Sequence, residues 1–81
     1  MLTLKIISPE KIIYDGSAES VKVPGVVGEF EILNNHAPII SALQKGVVEY
    51  ETKEGKTQVQ ITRGFVEVQK NLVNVCVEVT E

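Results

Sequence analysis

Apolar and polar residues alternate with a period of two along most of this 81-residue chain, and nowhere with a sustained period of 3.6. That alternation is the signature of half-buried strands. Leu2, Leu4 and Ile6 fall on one face of the first run, which Ser8-Pro9-Glu10 interrupts because Pro9 fixes φ and carries no donor. An extended run resumes from Lys11 to Tyr14, punctuated by Asp15-Gly16, and Glu19 to Val23 alternates again up to Pro24-Gly25. Gly28 to Ile32 turns Phe30 and Ile32 inward and Glu29 and Glu31 outward, and Pro38 to Leu43 is a short apolar stretch. In the second half, Val48, Tyr50 and Thr52 alternate with Val47, Glu49 and Glu51. Lys53-Glu54-Gly55-Lys56 reads as a hairpin turn in which Gly55 supplies a positive φ. Thr57, Val59 and Ile61 then face inward, Gly64 separates that strand from Phe65 to Val68, and Lys70-Asn71 makes a further tight turn. Val73, Val75, Val77 and Val79 form the most regular one-faced stripe.

These runs predict an all-β protein of about eight to ten short strands. One sheet this small cannot hide its valine face, so two antiparallel sheets packed as a β-sandwich are expected, with residues 1–81 as a single domain. Composition agrees. Val, Ile and Thr supply 26 of the 81 residues, and alanine, the best helix former, only three. β-branched side chains lose rotamer freedom in helices and pack well on a pleated sheet.

Charge excludes some functions. The net charge is −3, divided as −2 over residues 1–40 and −1 over residues 41–81, so neither half is a charged tail. The eight Lys and Arg are scattered singly, which argues against nucleic-acid binding. No apolar run approaches the length of a membrane span, so no direct membrane insertion is expected, and Met1 to Lys5 does not resemble a signal peptide. The lone Cys76 lies in the valine stripe and is expected as a small buried or half-buried thiol.

Candidate chemistry is sparse. His36 is the single histidine, so no zinc site and no catalytic triad can be assembled around it, and no nucleophile elbow surrounds Ser8, Ser17, Ser20 or Ser41. His36 reads as a turn residue or a partner contact. Gly25-Val26-Val27-Gly28 lacks the Lys-Ser/Thr end of a phosphate loop and no helix follows it, so it reads as a flexible turn rather than a nucleotide site. Glu29 and Glu31 share one strand face, either as a solvated surface or as a dock for a cationic partner. No catalytic residue, cofactor or metal is therefore expected. A carbohydrate-binding sandwich would want exposed aromatic platforms, and the chain offers no Trp and only Tyr14 and Tyr50. A small hydrolase using His36 is the remaining enzymatic alternative.

Two separated motifs add a resemblance. Gly28-Glu29-Phe30-Glu31-Ile32-Leu33 with Asn35-His36-Ala37-Pro38, and later Gly64-Phe65-Val66-Glu67-Val68 with Asn71 and Val73, resemble signatures of the epsilon subunit of F-type ATP synthases. Leu2 to Glu10 and Gly46 fit the same family, so the likeness covers essentially the whole chain in order. It implies a β-sandwich that acts as a non-catalytic rotor component of the central stalk. Its implied partners are the gamma subunit, the ring of c subunits and the rest of the synthase, and its implied role is to couple proton flow to ATP synthesis. It further implies a peripheral position on the cytoplasmic face of a bacterial inner membrane. By matched position, Ser8, His36 and Ser41 would touch gamma, and Glu29, with Phe30 and Glu31 beside it, would face the c ring. The family commonly has Pro-Gly before the histidine; Asn34-Asn35 stand there in this chain, and Asn tolerates the same left-handed turn. The family also commonly continues into a pair of C-terminal helices that inhibit ATP hydrolysis and in some members bind ATP. As a short subunit or an isolated domain, this chain would lack both properties.

Overall fold

A computed structural model describes residues 1–80. The elements are β1 (Leu2–Ile7), β2 (Ile12–Ala18), β3 (Ser20–Gly25), β4 (Gly28–Ile32), β5 (Ile39–Leu43), β6 (Gly46–Thr52), β7 (Gly55–Gln69) and β8 (Leu72–Val79). The all-strand expectation and the strand number hold. The eight strands form one hydrogen-bonded sheet that folds over on itself, with β6 bridging β3 and β7 beside the path β2-β1-β8-β7-β5-β3-β4. One layer is β4-β3-β6 with the first half of β7, and the other is β2-β1-β8, the second half of β7, and β5. The layers meet again where Gly25 of β3 pairs with Leu43 of β5. Every pairing is antiparallel except β1 with β8, which run parallel in register Leu4↔Val73 and Ile6↔Val75. The sheet is therefore not purely antiparallel. β8 already pairs with β7 on its other edge, and β1 arrives alongside from the start of the chain.

β7 is longer than the sequence pattern suggests, because Gly64 does not end it. Fifteen residues would span about 45–50 Å if straight, at about 3.3 Å each. The molecule's longest dimension is 30 Å, so β7 must bend. The bend lies at a bulge, where Ile61 pairs with Val79 but Arg63 pairs with Glu78, leaving Thr62 as an extra residue. Thr62 donates its hydroxyl to the Glu78 carbonyl (3.2 Å). The bulge exchanges inward and outward positions: Ile61 is buried before it, Val66 and Val68 after it.

One core fills the space between the layers. Leu2, Leu4 and Ile6 meet Val21, Val23, Ile32, Val48, Ile61, Val66, Val68, Val73, Val75 and Val77, all essentially without solvent contact. Tyr14 and Tyr50 close one end, with ring centroids 4.6 Å apart, although their strands do not pair. Asp15-Gly16 does not interrupt β2, and Thr57 is exposed rather than inward. Thr57 lies in the part of β7 that has β6 on one edge and no strand on the other. Cys76 is half-buried, as expected.

Gly64 is required by close approach. A Cβ there would collide with the Cys76 carbonyl oxygen and lie 2.8 Å from Val77 Cγ1. We predict that Gly64→Ala lowers the unfolding free energy by about 2–3 kcal/mol, because it overpacks the β7–β8 ladder next to the bulge. Urea unfolding checks this, and a loss below about 0.5 kcal/mol would show that the two strands tolerate a wider spacing.

Candidate functional site: an apolar sheet face and a hairpin tip

The two outer faces of the molecule differ in chemistry. On the β4-β3-β6-β7 layer, Glu31, Lys22, Glu49 and Gln58 stand in one cross-strand row. Gln58 donates to Glu49 (2.8 Å) and Lys56 lies 3.9 Å from it. That hydrogen bond first, then Lys56 and Lys22, hold the Glu49 carboxyl below its ordinary range against partial desolvation. This face is polar.

The opposite face carries an apolar row. Ladder registers place Ile12, Ile7, Cys76, Phe65 and Ala42 side by side across five strands. Ile12, at the sheet edge beside Ile7, is 57% exposed, and Phe65, between Cys76 and Ala42, is 48% exposed. Next to the row lies a groove of about 550 Å³ lined by Ile7, Ser8, Pro9, Phe65 and Cys76, with Arg63 and Glu78 at its border. Arg63 and Glu78 pair with each other at 3.1 Å, so the border is charged but balanced.

The expected contact residues do not converge on one spot. Ser8 lines the groove, its hydroxyl closing the β1–β2 turn against Lys11 (3.2 Å to the carbonyl). Ser41 is half-buried in β5, opposite Val66, with its hydroxyl donating to the Ala42 carbonyl (3.2 Å). His36 is half-buried in the loop between β4 and β5, with Nδ1 2.7 Å from the Ala37 carbonyl and its ring 6.5 Å from that of Phe30. That loop is fastened to the β7–β8 turn. The Asn35 amide donates to Asn71 Oδ1 (2.7 Å), and Asn35 takes φ 65° as the left-handed turn requires. Glu78 borders the groove and Asn71 closes the far turn, about 20 Å away along β8 at about 3.3 Å per residue. Ser8 and His36 thus sit towards opposite ends of this layer.

Glu29 and Glu31 are exposed on β4 and Phe30 is half-buried, as expected. Between β3 and β4, Val26-Val27 is a turn, as expected, of two residues closed by the pair Gly25↔Gly28, with Gly28 at φ 136°. Gly55 plays the corresponding part after Lys53-Glu54, at φ 121°. The apolar row depends on five strands and one bulge, so no local pattern in the sequence reveals it. A Gly-framed Val-Val signals a turn in sequence and not the exposure of its side chains.

Among the described residues no group of His, Cys, Asp and Glu could hold a metal ion, and no helix is long and apolar enough to cross a membrane.

Over residues 1–81 the sequence matches the pattern that defines the ATP synthase, Delta/Epsilon chain, beta-sandwich domain. The chain belongs to that family. It is 43% identical over 74 residues to the ATP synthase epsilon chain of Leptospira borgpetersenii, covering 91% of this chain and 58% of the relative. To the epsilon chain of Synechococcus sp. (strain PCC 6716) it is 36% identical over 81 residues, covering 100% of this chain and 59% of the relative. The epsilon chain of Helicobacter pylori (strain HPAG1) is 41% identical over 75 residues, 93% of this chain and 61% of that one. The chain therefore spans about three-fifths of these relatives' length. Its fold is similar to a chain in the mitochondrial ATP synthase of Euglena gracilis (OSCP/F1/c-ring), with TM-score 0.87 and 23% identity over 94% of this chain and 49% of that one. It is also similar to one in the central stalk and c ring of the Tetrahymena thermophila enzyme, with TM-score 0.81 and 16% identity over 95% and 63% of the two chains. The family's sandwich is thus the fold seen here, and in this chain Asn35, Gly64 and Asn71 mark the fastened loop, the tight β7–β8 contact and the turn that holds the loop.

Asn71→Gly keeps the left-handed turn (φ 64° at Asn71) but removes the side chain that holds Asn35. We predict that the Asn35 amide then exchanges with solvent at least tenfold faster, whereas Asn71→Asp, which retains an acceptor oxygen, keeps its protection. Equal exchange in Asn71→Gly and wild type, read by NMR, would show that another contact holds the loop.

Proposed function

We propose that this chain is the sandwich domain of a non-catalytic rotor subunit of an F-type ATP synthase. It seats its apolar sheet face on the gamma subunit and its β3–β4 end on the c ring, helping to couple proton flow to ATP synthesis. The observation that carries this reading is the row Ile12–Ile7–Cys76–Phe65–Ala42, an uncovered apolar band on a domain whose other face is charged. The family and the central-stalk neighbours in fold support it. Ser8 at the groove, Ser41 in the adjoining strand β5 and His36 on the fastened loop would be gamma contacts. Glu29, Phe30 and Glu31 would face the ring. In that assembly the chain lies peripherally on the membrane, at the cytoplasmic face in a bacterium.

Magnitudes decide which contacts matter. Association costs roughly 4–15 kcal/mol in lost freedom. Exposed ion pairs return about 0–1 kcal/mol each, too little to hold a rotor together. Burying large apolar side chains returns about 1.5–3 kcal/mol each when they start fully exposed, so the band must dominate gamma binding while Glu29 and Glu31 set orientation. A rigid all-strand body suits a part that transmits torque, since a packed core resists deformation.

Phe65→Asp places an unpaired charge in the middle of the band without touching the core. We predict that it weakens retention of purified gamma by at least a hundredfold in a pull-down while the thermal unfolding of the chain is little changed. Undiminished retention would remove the band from the interface. Replacing Glu29 and Glu31 together by Lys is expected to reduce ATP-driven proton pumping in the reconstituted enzyme and to leave gamma binding intact. Unaltered pumping would refute the assignment of that end to the ring.

A further inference from the structure

The outer face of the β2-β1-β8-β7-β5 layer is arranged evenly about its middle strand. β8 is that strand, and Cys76 is the third of the five residues in the apolar row. One step along the strands lies a second outward row, Asp15, Lys5, Asn74, Glu67 and Ile40, again with its β8 residue at the centre. Lys5 and Glu67 therefore flank Asn74, about 10 Å apart at about 4.8 Å per strand. The ion pairs among the described residues are Lys56–Glu49 and Arg63–Glu78, and Lys5 and Glu67 belong to neither.

We propose that, without gamma, the chain pairs through this face with a second copy of itself about a two-fold axis along β8, and that gamma displaces the copy. The second clause rests on the reading that the apolar row is gamma's seat. Sheets packed face to face keep their strands within about 30° of one another, which an axis along the middle strand allows. Such an axis carries each strand of one copy onto its mirror position in the other, an isologous contact. Phe65 then meets Ile7 of the second copy, and Ala42, the smallest side chain of the row, meets Ile12, which is 57% exposed. In the second row, Glu67 meets Lys5 of the second copy, and the symmetry makes that pair twice. Glu78 lies on the axis too, but it already holds Arg63 at 3.1 Å and meets its copy as part of a neutral pair. Asp15 meets Ile40 at the rim, where both stay open to water. Area sets the strength. Five strands at about 4.8 Å and three outward rows at about 6.6 Å offer roughly 450–500 Å² per copy. Stable pairs bury about 800 Å² per partner, so this dimer is weak and exchanges readily, as a cover that gamma removes must.

The test is sedimentation velocity of the full chain over a hundredfold range of concentration. Wild type is expected to pass from monomer to dimer as concentration rises. Lys5→Glu and Glu67→Lys each set like charges against each other across the axis, and each is expected to raise the dimer dissociation constant at least tenfold. An equimolar mixture of the two variants is expected to recover a heterodimer within threefold of the wild-type affinity, because the carboxylates of one variant then meet only the ammonium groups of the other. A misfolded variant, or a loss confined within one chain, is not restored by mixing. Wild type that stays monomeric throughout overturns the proposal, as do variants that dimerise like wild type or a mixture that stays monomeric. In those cases a loss of gamma retention in Phe65→Asp would leave gamma's seat standing alone. Equimolar gamma is expected to convert the dimer into one-to-one complexes. Gamma that joins an intact dimer overturns the proposal and removes gamma from this face as well.

Discussion

One extra residue in a strand sets the character of this molecule. Thr62 bulges from β7, and the side chains beyond it change sides. Were the pairing continuous, the inward series that ends at Ile61 would carry Phe65 into the core and turn Val66 and Val68 out to water. Because the side-chain period of a strand is two, a single inserted residue reverses every later position. The bulge therefore places two valines in the core and leaves Phe65 at the centre of the outer row. The same kink lets a strand of fifteen residues serve both layers of a body only 30 Å long. Gly64 follows two positions later, where the Cys76 carbonyl comes too close for any side chain.

From that constraint the two faces acquire different tasks. On the layer built on β3, β4 and β6, Lys22, Lys56 and Gln58 group around Glu49. The layer built on β1, β8, β5 and the far half of β7 presents Ile7, Cys76 and Phe65 in line, with a groove beside them. A domain of this size has a modest core, and a partner that binds only the folded form adds to its stability by mass action. The apolar row is thus consistent with a subunit whose working state is bound.

The strand inventory was legible because its local signals agree. Alternation, Gly55 after a polar pair and Asn71 in a left-handed turn all point to the same hairpins, and the structure has them. The inward sets Leu2-Leu4-Ile6 and Val73-Val75-Val77 were equally plain. What sequence alone could not supply was anything created by pairing between distant strands. The parallel β1–β8 contact joins two ends of the chain, and no local pattern encodes it. Gly64 looked like a strand end because a glycine required by a neighbour's backbone and a glycine at a turn are the same letter. Ser8, His36 and Ser41 came from motif likeness, and their separation across the layer became visible only once β8 gave a scale. The Val26-Val27 tip was overlooked for a related reason: apolar letters in a glycine frame suggest a turn, and only the fold reveals that nothing covers them.

Cys76 lies in the middle of the apolar row and is the chain's one thiol, so it reports directly on whether that face is covered. The decisive measurement is its rate of alkylation by iodoacetamide, compared between the isolated chain and the assembled synthase. The account predicts slow but measurable reaction in the free chain and at least tenfold protection after assembly. Equal rates in the two states would mean that the apolar face stays open to water in the working enzyme, and would contradict the account.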